Sequence, residues 1–129
     1  MKISEFAICT GISKDTIRYY EKINLLQPEI KNNHRKYNEH HIEIISIILK
    51  LKQSGFLLQE IKLLFEWTEN TNQHNKLTKV EIDNLLQLKR LFQNKYEQIV
   101  QKEKEIVQIK QVLERANSKL EQLLEKNEM

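Results

Sequence analysis

Glycine and proline are nearly absent from this chain, with two glycines and one proline among 129 residues. That scarcity argues against an all-β fold and against extended loops, both of which consume turn residues. The single cysteine, Cys9, cannot form an internal disulfide, nor alone make a thiolate metal site. No stretch reaches the roughly 18 apolar residues needed to cross a bilayer, and the N-terminus carries no apolar signal stretch. The expected setting is therefore a reducing cytoplasm, with no membrane partner. Nor does one sign of charge dominate. The net charge is +3, and residues 1–77 carry eleven basic and nine acidic side chains, the remainder ten and nine. Neither half projects a strong field, so any nucleic-acid contact must come from local clusters. There is no clustered nucleophile and base, no phosphate-binding glycine loop and no set of metal ligands. No catalytic residue, metal or cofactor is expected.

What the chain does have is helix-forming sequence with one well-marked break. Ala7-Ile8-Cys9-Thr10-Gly11-Ile12-Ser13-Lys14-Asp15-Thr16-Ile17-Arg18-Tyr19-Tyr20-Glu21 reads as helix, tight turn, helix. Gly11 supplies a left-handed backbone for the turn. Ser13 is an N-cap for the second helix, as Ser4 is for the first, with Ile3 as its hydrophobic staple. Phe6, Ile12, Ile17 and Tyr20 are spaced to share one core. The second helix then turns Lys14, Asp15, Arg18, Tyr19 and Lys22 outward, the shape and chemistry that enter a DNA major groove. Cys9, with nothing basic close in sequence, reads as a small space-filling residue rather than a redox switch.

Asn24 suits a left-handed helix end, and Pro28 stops helix continuation. Residues 29–38 read as a hairpin, with Lys31-Asn32-Asn33-His34 as its turn. Lys31, His34, Arg35 and Lys36 form the acid-free basic cluster of the first half, and Tyr37 adds an aromatic donor. Such a wing lies along phosphates or in the minor groove; the alternative is a solvated hairpin tip. Asn38 caps a third helix, apolar on nearly every side, which requires burial from two directions. His40 and His41, in its first turn, read as surface residues. Gly55 ends that helix, and a fourth runs from Leu57 to Trp67 with Leu58, Ile61, Leu64 and Phe65 on one face.

Three parts follow: a DNA-binding domain over residues 1–67, a polar linker over 68–77, and a long coiled-coil helix over 78–129. With Leu85 at heptad position a, the a and d positions take Leu85, Leu88, Phe92, Lys95, Ile99, Lys102, Ile106, Ile109, Leu113, Ala116, Leu120 and Leu123. Ten of these twelve are apolar, which is a coiled-coil pattern. About 48 helical residues would span roughly 70 Å, so this seam needs a partner helix, most simply that of a homodimer. Lys95 and Lys102 weaken the seam near its middle, and Asn117-Ser118 is the expected place for a bend or fold-back.

The first 66 residues resemble the DNA-binding domain of the MerR family of bacterial transcription regulators. The matching pieces are Ala7 to Gly11, Thr16-Ile17-Arg18-Tyr19-Tyr20-Glu21, Leu25-Leu26-Gln27-Pro28, Arg35-Lys36-Tyr37, and Gly55-Phe56-Leu57-Leu58-Gln59-Glu60-Ile61-Lys62. The resemblance implies a mainly α fold: a winged helix-turn-helix followed by a long dimerising helix that pairs antiparallel with its mate. It implies a homodimer on palindromic double-stranded DNA, with RNA polymerase at the promoter as a further partner and deformation of an overlong promoter spacer as the means of control. Arg18, Tyr19, Arg35 and Tyr37 are the DNA contacts that the resemblance implies. Lys14, Thr16, His34 and Lys36 complete the expected DNA-binding set. Leu85, Leu88, Phe92, Ile99, Ile106, Ile109 and Leu113 form the expected dimer interface.

The chain departs from the family pattern in places. Asn24 stands where glycine is preferred, and His34 replaces a usual tyrosine. Leu57 replaces a serine cap, a loss of about 1 kcal/mol, although Glu60 remains at the N3 position. Metal-sensing members carry cysteines near the start of the long helix and after it, and drug-sensing members carry a ligand domain; here only coiled coil follows. The sequence names an output and no input. The competing expectation is a chromosome-organising DNA-binder with a coiled-coil stalk.

Overall fold

A computed structural model describes residues 1–69 and 76–128. Its elements are α1 (Ile3–Thr10), α2 (Lys14–Lys22), β1 (Glu29–Lys31), β2 (His34–Lys36), α3 (Glu39–Gln53), α4 (Leu58–Glu69) and α5 (Lys79–Asn127). The chain divides into two compact units, Met1–His74 and Asn75–Met129. Most of the expected linker, residues 70–75, lies outside the described residues.

Local chemistry accounts for most of the boundaries in the first unit. Gly11 closes α1 at φ 74°, its N–H donating to the Ala7 carbonyl at 2.9 Å. Ser13 Oγ accepts the Thr16 N–H at 3.1 Å and opens α2. Asn24, at φ 64°, turns the chain after α2, so that the Leu25 N–H reaches back to the Tyr20 carbonyl at 2.9 Å. The hairpin turn needs two left-handed residues in succession, and Asn32 and Asn33 supply them at φ 51° and 62°. This fixes a two-residue connection whose twist matches the strands, in the register Glu29 with Lys36, Ile30 with Arg35 and Lys31 with His34.

Two helix starts differ from expectation. Ser4 does not cap α1; the helix begins at Ile3, and Lys2, at the N-cap, gives no side-chain bond. Backbone pairing sets that start instead, since the Tyr37 N–H donates to the Met1 carbonyl at 2.8 Å. His41 is not a surface residue but 4% exposed. It completes a capping box with Asn38: Asn38 Oδ1 accepts the His41 N–H at 3.3 Å and His41 Nδ1 accepts the Asn38 N–H at 2.9 Å. With Nδ1 an acceptor, Nε2 carries the proton and donates to the Gln27 carbonyl at 2.8 Å. The imidazole thus ties the segment before the wing to the helix after it.

Phe6, Ile17, Tyr20, Leu25, Leu26, Tyr37, Ile45, Ile48, Phe56 and Ile61 form the core. It draws on every helix of the unit and on the residue that leaves the wing. Leu58 and Phe65 of α4 pack against it. Cys9 fills no space in it, being exposed on α1. Leu57 precedes α4 without a side-chain cap of its own, and the Glu60 carboxylate accepts its N–H at 2.8 Å, keeping half of a capping box.

The second unit is α5. Thr78 caps it by accepting the Glu81 N–H at 3.2 Å. The helix continues without interruption through Asn117-Ser118 to Asn127, so the expected bend is absent. No residue of α5 is buried.

Candidate nucleic-acid interface

The helix-turn-helix and the wing bring two sets of donors to one surface. On α2, Lys14, Arg18, Tyr19 and Lys22 are exposed, while Ile17 and Tyr20 on the same helix are buried. That split anchors the helix by one face and frees the other. Arg18 Nη1 lies 3.6 Å from Asp15 Oδ1, with both side chains solvated. Exposed pairs of this kind contribute about 0–1 kcal/mol, so the guanidinium is readily given up to a phosphate or a base. Thr16 is spent locally: its backbone N–H and its hydroxyl, 2.9 Å from Ser13 Oγ, both belong to the helix cap.

Across from α2, the wing presents Lys31, Asn32, Asn33, His34 and Arg35, all exposed, with Lys36 half-buried. Arg18 from the helix and Asn33, His34 and Arg35 from the wing line one open groove of about 520 Å³, with Lys2 at its rim. Lys2 and Asn33 were not expected there; their place depends on how α1 and the hairpin turn meet, which no local pattern encodes. A second open groove, about 530 Å³, runs from Tyr19 and Ile23 to Leu58, Gln59 and Lys62. It brings the start of α4 beside α2.

Tyr37 requires correction. Expected as an exposed aromatic donor, it is 2% exposed. Its ring stacks on Phe6, with centroids 4.3 Å apart, and meets the edge of His41 at 5.9 Å. Its hydroxyl donates to Glu21 Oε1. Tyr37 thus fixes the exit of the wing to the core. Burial, then the hydrogen bond and the charge of Glu21, push its hydroxyl pKa well above the ordinary value near 10. The folded state therefore keeps this proton where the unfolded chain loses it. The stabilisation is complete below about pH 10 and declines as pH rises above that value. The urea midpoint of the parent is expected to fall from about pH 10 upward, and that of Tyr37→Phe to fall less steeply; parallel curves would contradict this origin.

Glu21 went unrecognised as a site residue. It lies on α2 with a side chain 9% exposed, and its second oxygen faces Arg35 Nε at 3.3 Å. In the sequence it stood only as the last residue of a family-matching stretch, on a helix that also carries Asp15.

Comparison with known proteins decides the family. Residues 1–68 match the model described as "MerR HTH family regulatory protein". The chain belongs to the MerR family. Among curated MerR relatives, the transcriptional regulator HmrR of Sinorhizobium medicae is 28% identical over 93 residues, covering 70% of this chain and 63% of its own length. CueR of Yersinia pestis is 34% identical over 77 residues, 58% of this chain and 55% of that protein. A ZntR homologue of Haemophilus influenzae is 39% identical over 66 residues, half of this chain and 49% of that protein. The chain thus spans less than two thirds of the length of these relatives. In fold it is similar to HiNmlR, a MerR family regulator lacking the sensor domain and solved bound to promoter DNA, at 23% identity and a TM-score of 0.55 over 88% of this chain and 78% of that one. It is also similar to a MerR family regulator from Bacillus thuringiensis, at 22% identity and a TM-score of 0.52 over 89% and 97% of the two chains.

Proposed function

We propose that this protein is a sequence-specific DNA-binding transcription regulator that acts as a homodimer on a palindromic promoter. The observation that carries this reading is the convergence of exposed Arg18 on α2 with His34 and Arg35 on the wing around one open groove. Helix donors read base edges in the major groove, while wing donors hold phosphates and fix register. Lys14, Arg18 and Tyr19 are the reading residues. His34, Arg35 and Lys36 are the wing contacts, and Thr16 helps Ser13 fix the start of α2. Membership of the family supports control through RNA polymerase at a deformed promoter. A chromosome-organising role is not favoured, because the curated relatives are transcription regulators.

The homodimer rests on α5. Ile99, Ile106, Ile109 and Leu113 are 36%, 56%, 59% and 57% exposed in the single chain. Leu85, Leu88 and Phe92 extend the same heptad positions and are half-buried. An apolar row of this length on one helix is covered by a second helix in water. Two heads joined in this way match the symmetry of a palindrome.

Arg18→Ala tests the reading. It should weaken binding to a duplex selected by the parent protein by about 1–3 kcal/mol and leave the fold intact. A folded variant that binds that duplex as tightly as the parent would remove α2 from the groove. On the wing, Lys36→Ala should lower affinity for all sequences and reduce the salt slope by about one, through the loss of one phosphate contact. An unchanged slope would make this part of the hairpin a solvated surface.

A further inference from the structure

Glu21 is a nearly buried acid whose partner, Arg35, lines a groove proposed to bind polyanions. A carboxylate in such a place opposes phosphate approach unless it serves another purpose. Three observations indicate one. First, the side chain is 9% exposed, so it does not face a bound duplex directly. Second, its two oxygens are divided between two wing residues: Oε1 accepts the buried Tyr37 hydroxyl, and Oε2 faces the Arg35 guanidinium at 3.3 Å. Third, Oε2 is buried and takes no hydrogen bond. The contact with Arg35 is therefore an ion pair of charge and proximity and not a hydrogen-bonded fork. Arg35 keeps a side chain 57% exposed and lines the groove opposite Arg18.

We propose that Glu21 is a positioning residue, which through Arg35 sets the wing against the recognition helix and so makes DNA binding selective for its site over other sequence. The inference rests on the DNA-binding reading of this surface. A buried carboxylate on α2 holds the guanidinium near one place, and an arginine already placed loses less freedom on meeting a phosphate. Phosphate contacts fix register without reading bases. A wing arginine held relative to α2 sharpens register only where α2 is itself seated on its bases. On other sequence the same arginine acts as a charge, and its placement contributes nothing.

The experiment compares a duplex enriched from a random-sequence library by the parent protein with unselected random duplex. Glu21→Gln keeps an acceptor for the Tyr37 hydroxyl and removes the charge that holds Arg35. Its affinity for the enriched duplex should fall about tenfold, within the usual range for coupled neighbours, while affinity for random duplex does not fall. In an Arg35→Ala background the same change should have no further effect. Tyr37→Phe separates positioning from mere support of the fold. It removes the buried hydrogen bond that Glu21→Gln keeps, leaves the Glu21 charge facing Arg35, and should keep the parent's preference for the enriched duplex. Arg35→Lys, an exposed change that does not depend on Glu21→Gln folding, keeps the positive charge and should lose the preference for the enriched duplex. Additive losses from Glu21→Gln and Arg35→Ala, a Tyr37→Phe variant as unselective as Glu21→Gln, or an Arg35→Lys variant as selective as the parent would each overturn the positioning role while DNA binding stands. A parent protein that enriches no sequence would overturn both.

Discussion

Ile106→Asp combined with Ile109→Asp is expected to leave the protein monomeric and to abolish tight binding to its DNA site. Both side chains are more than half exposed in the single chain, and no residue of α5 is fully buried. On a solitary helix two aspartates there would remain solvated and cost little. Against a partner helix they would be buried with nothing to pair them, at several kcal/mol each. The dimer should separate rather than accept them. Two heads on one palindrome bind with the second at high effective concentration, and separation forfeits that gain, typically a factor of about 10²–10⁴. Sedimentation gives the mass, and titration of the enriched duplex gives the affinity. A double variant that remains dimeric would move the seam to the Val100 and Val107 face. A monomer that binds as tightly as the parent would show that pairing through α5 does not couple the heads.

Phe6→Ala is expected to unfold the head. Phe6 is fully buried and stacks on Tyr37. Removing a buried phenyl ring costs about 3–5 kcal/mol, the upper part of the range where the cavity cannot collapse. Here the facing wall is a tyrosine ring held by Glu21, His41 and the backbone of Met1, so little collapse is available. A core of this size supplies about 3–5 kcal/mol in total. Proteolysis at 37 °C should cleave the variant throughout residues 1–69, while the parent resists. A variant as resistant as the parent would mean that the wing exit is secured without this stack.

These residues also mark where the sequence was legible. Gly11, Ser13, Asn24 and the Asn32-Asn33 pair each determine backbone geometry within a few residues of themselves, and the turns they foretell are present. Heptad spacing likewise gave one long helix. Tyr37 was misread because its burial depends on Phe6 and Glu21, which reach it from two other segments. Taken with its neighbours it belongs to a basic, solvent-facing strand. His41 was misread for the same reason, since its partner Gln27 lies fourteen residues earlier. Ser4 had the right chemistry for a cap, but pairing between Met1 and Tyr37 determines where α1 begins. Asn117 and Ser118 are weak helix formers, but one such pair does not break a helix of 49 residues. The groove between α2 and the wing was not legible, because it forms only once the hairpin docks on the core.

Enrichment of random DNA by the purified full chain tests the central claim most directly. A homodimer with one reading helix per head should enrich an inverted repeat, and affinity for that duplex should fall on Arg18→Ala. Enrichment of no sequence, or binding that follows salt alone and is indifferent to Arg18, would contradict a sequence-specific regulator.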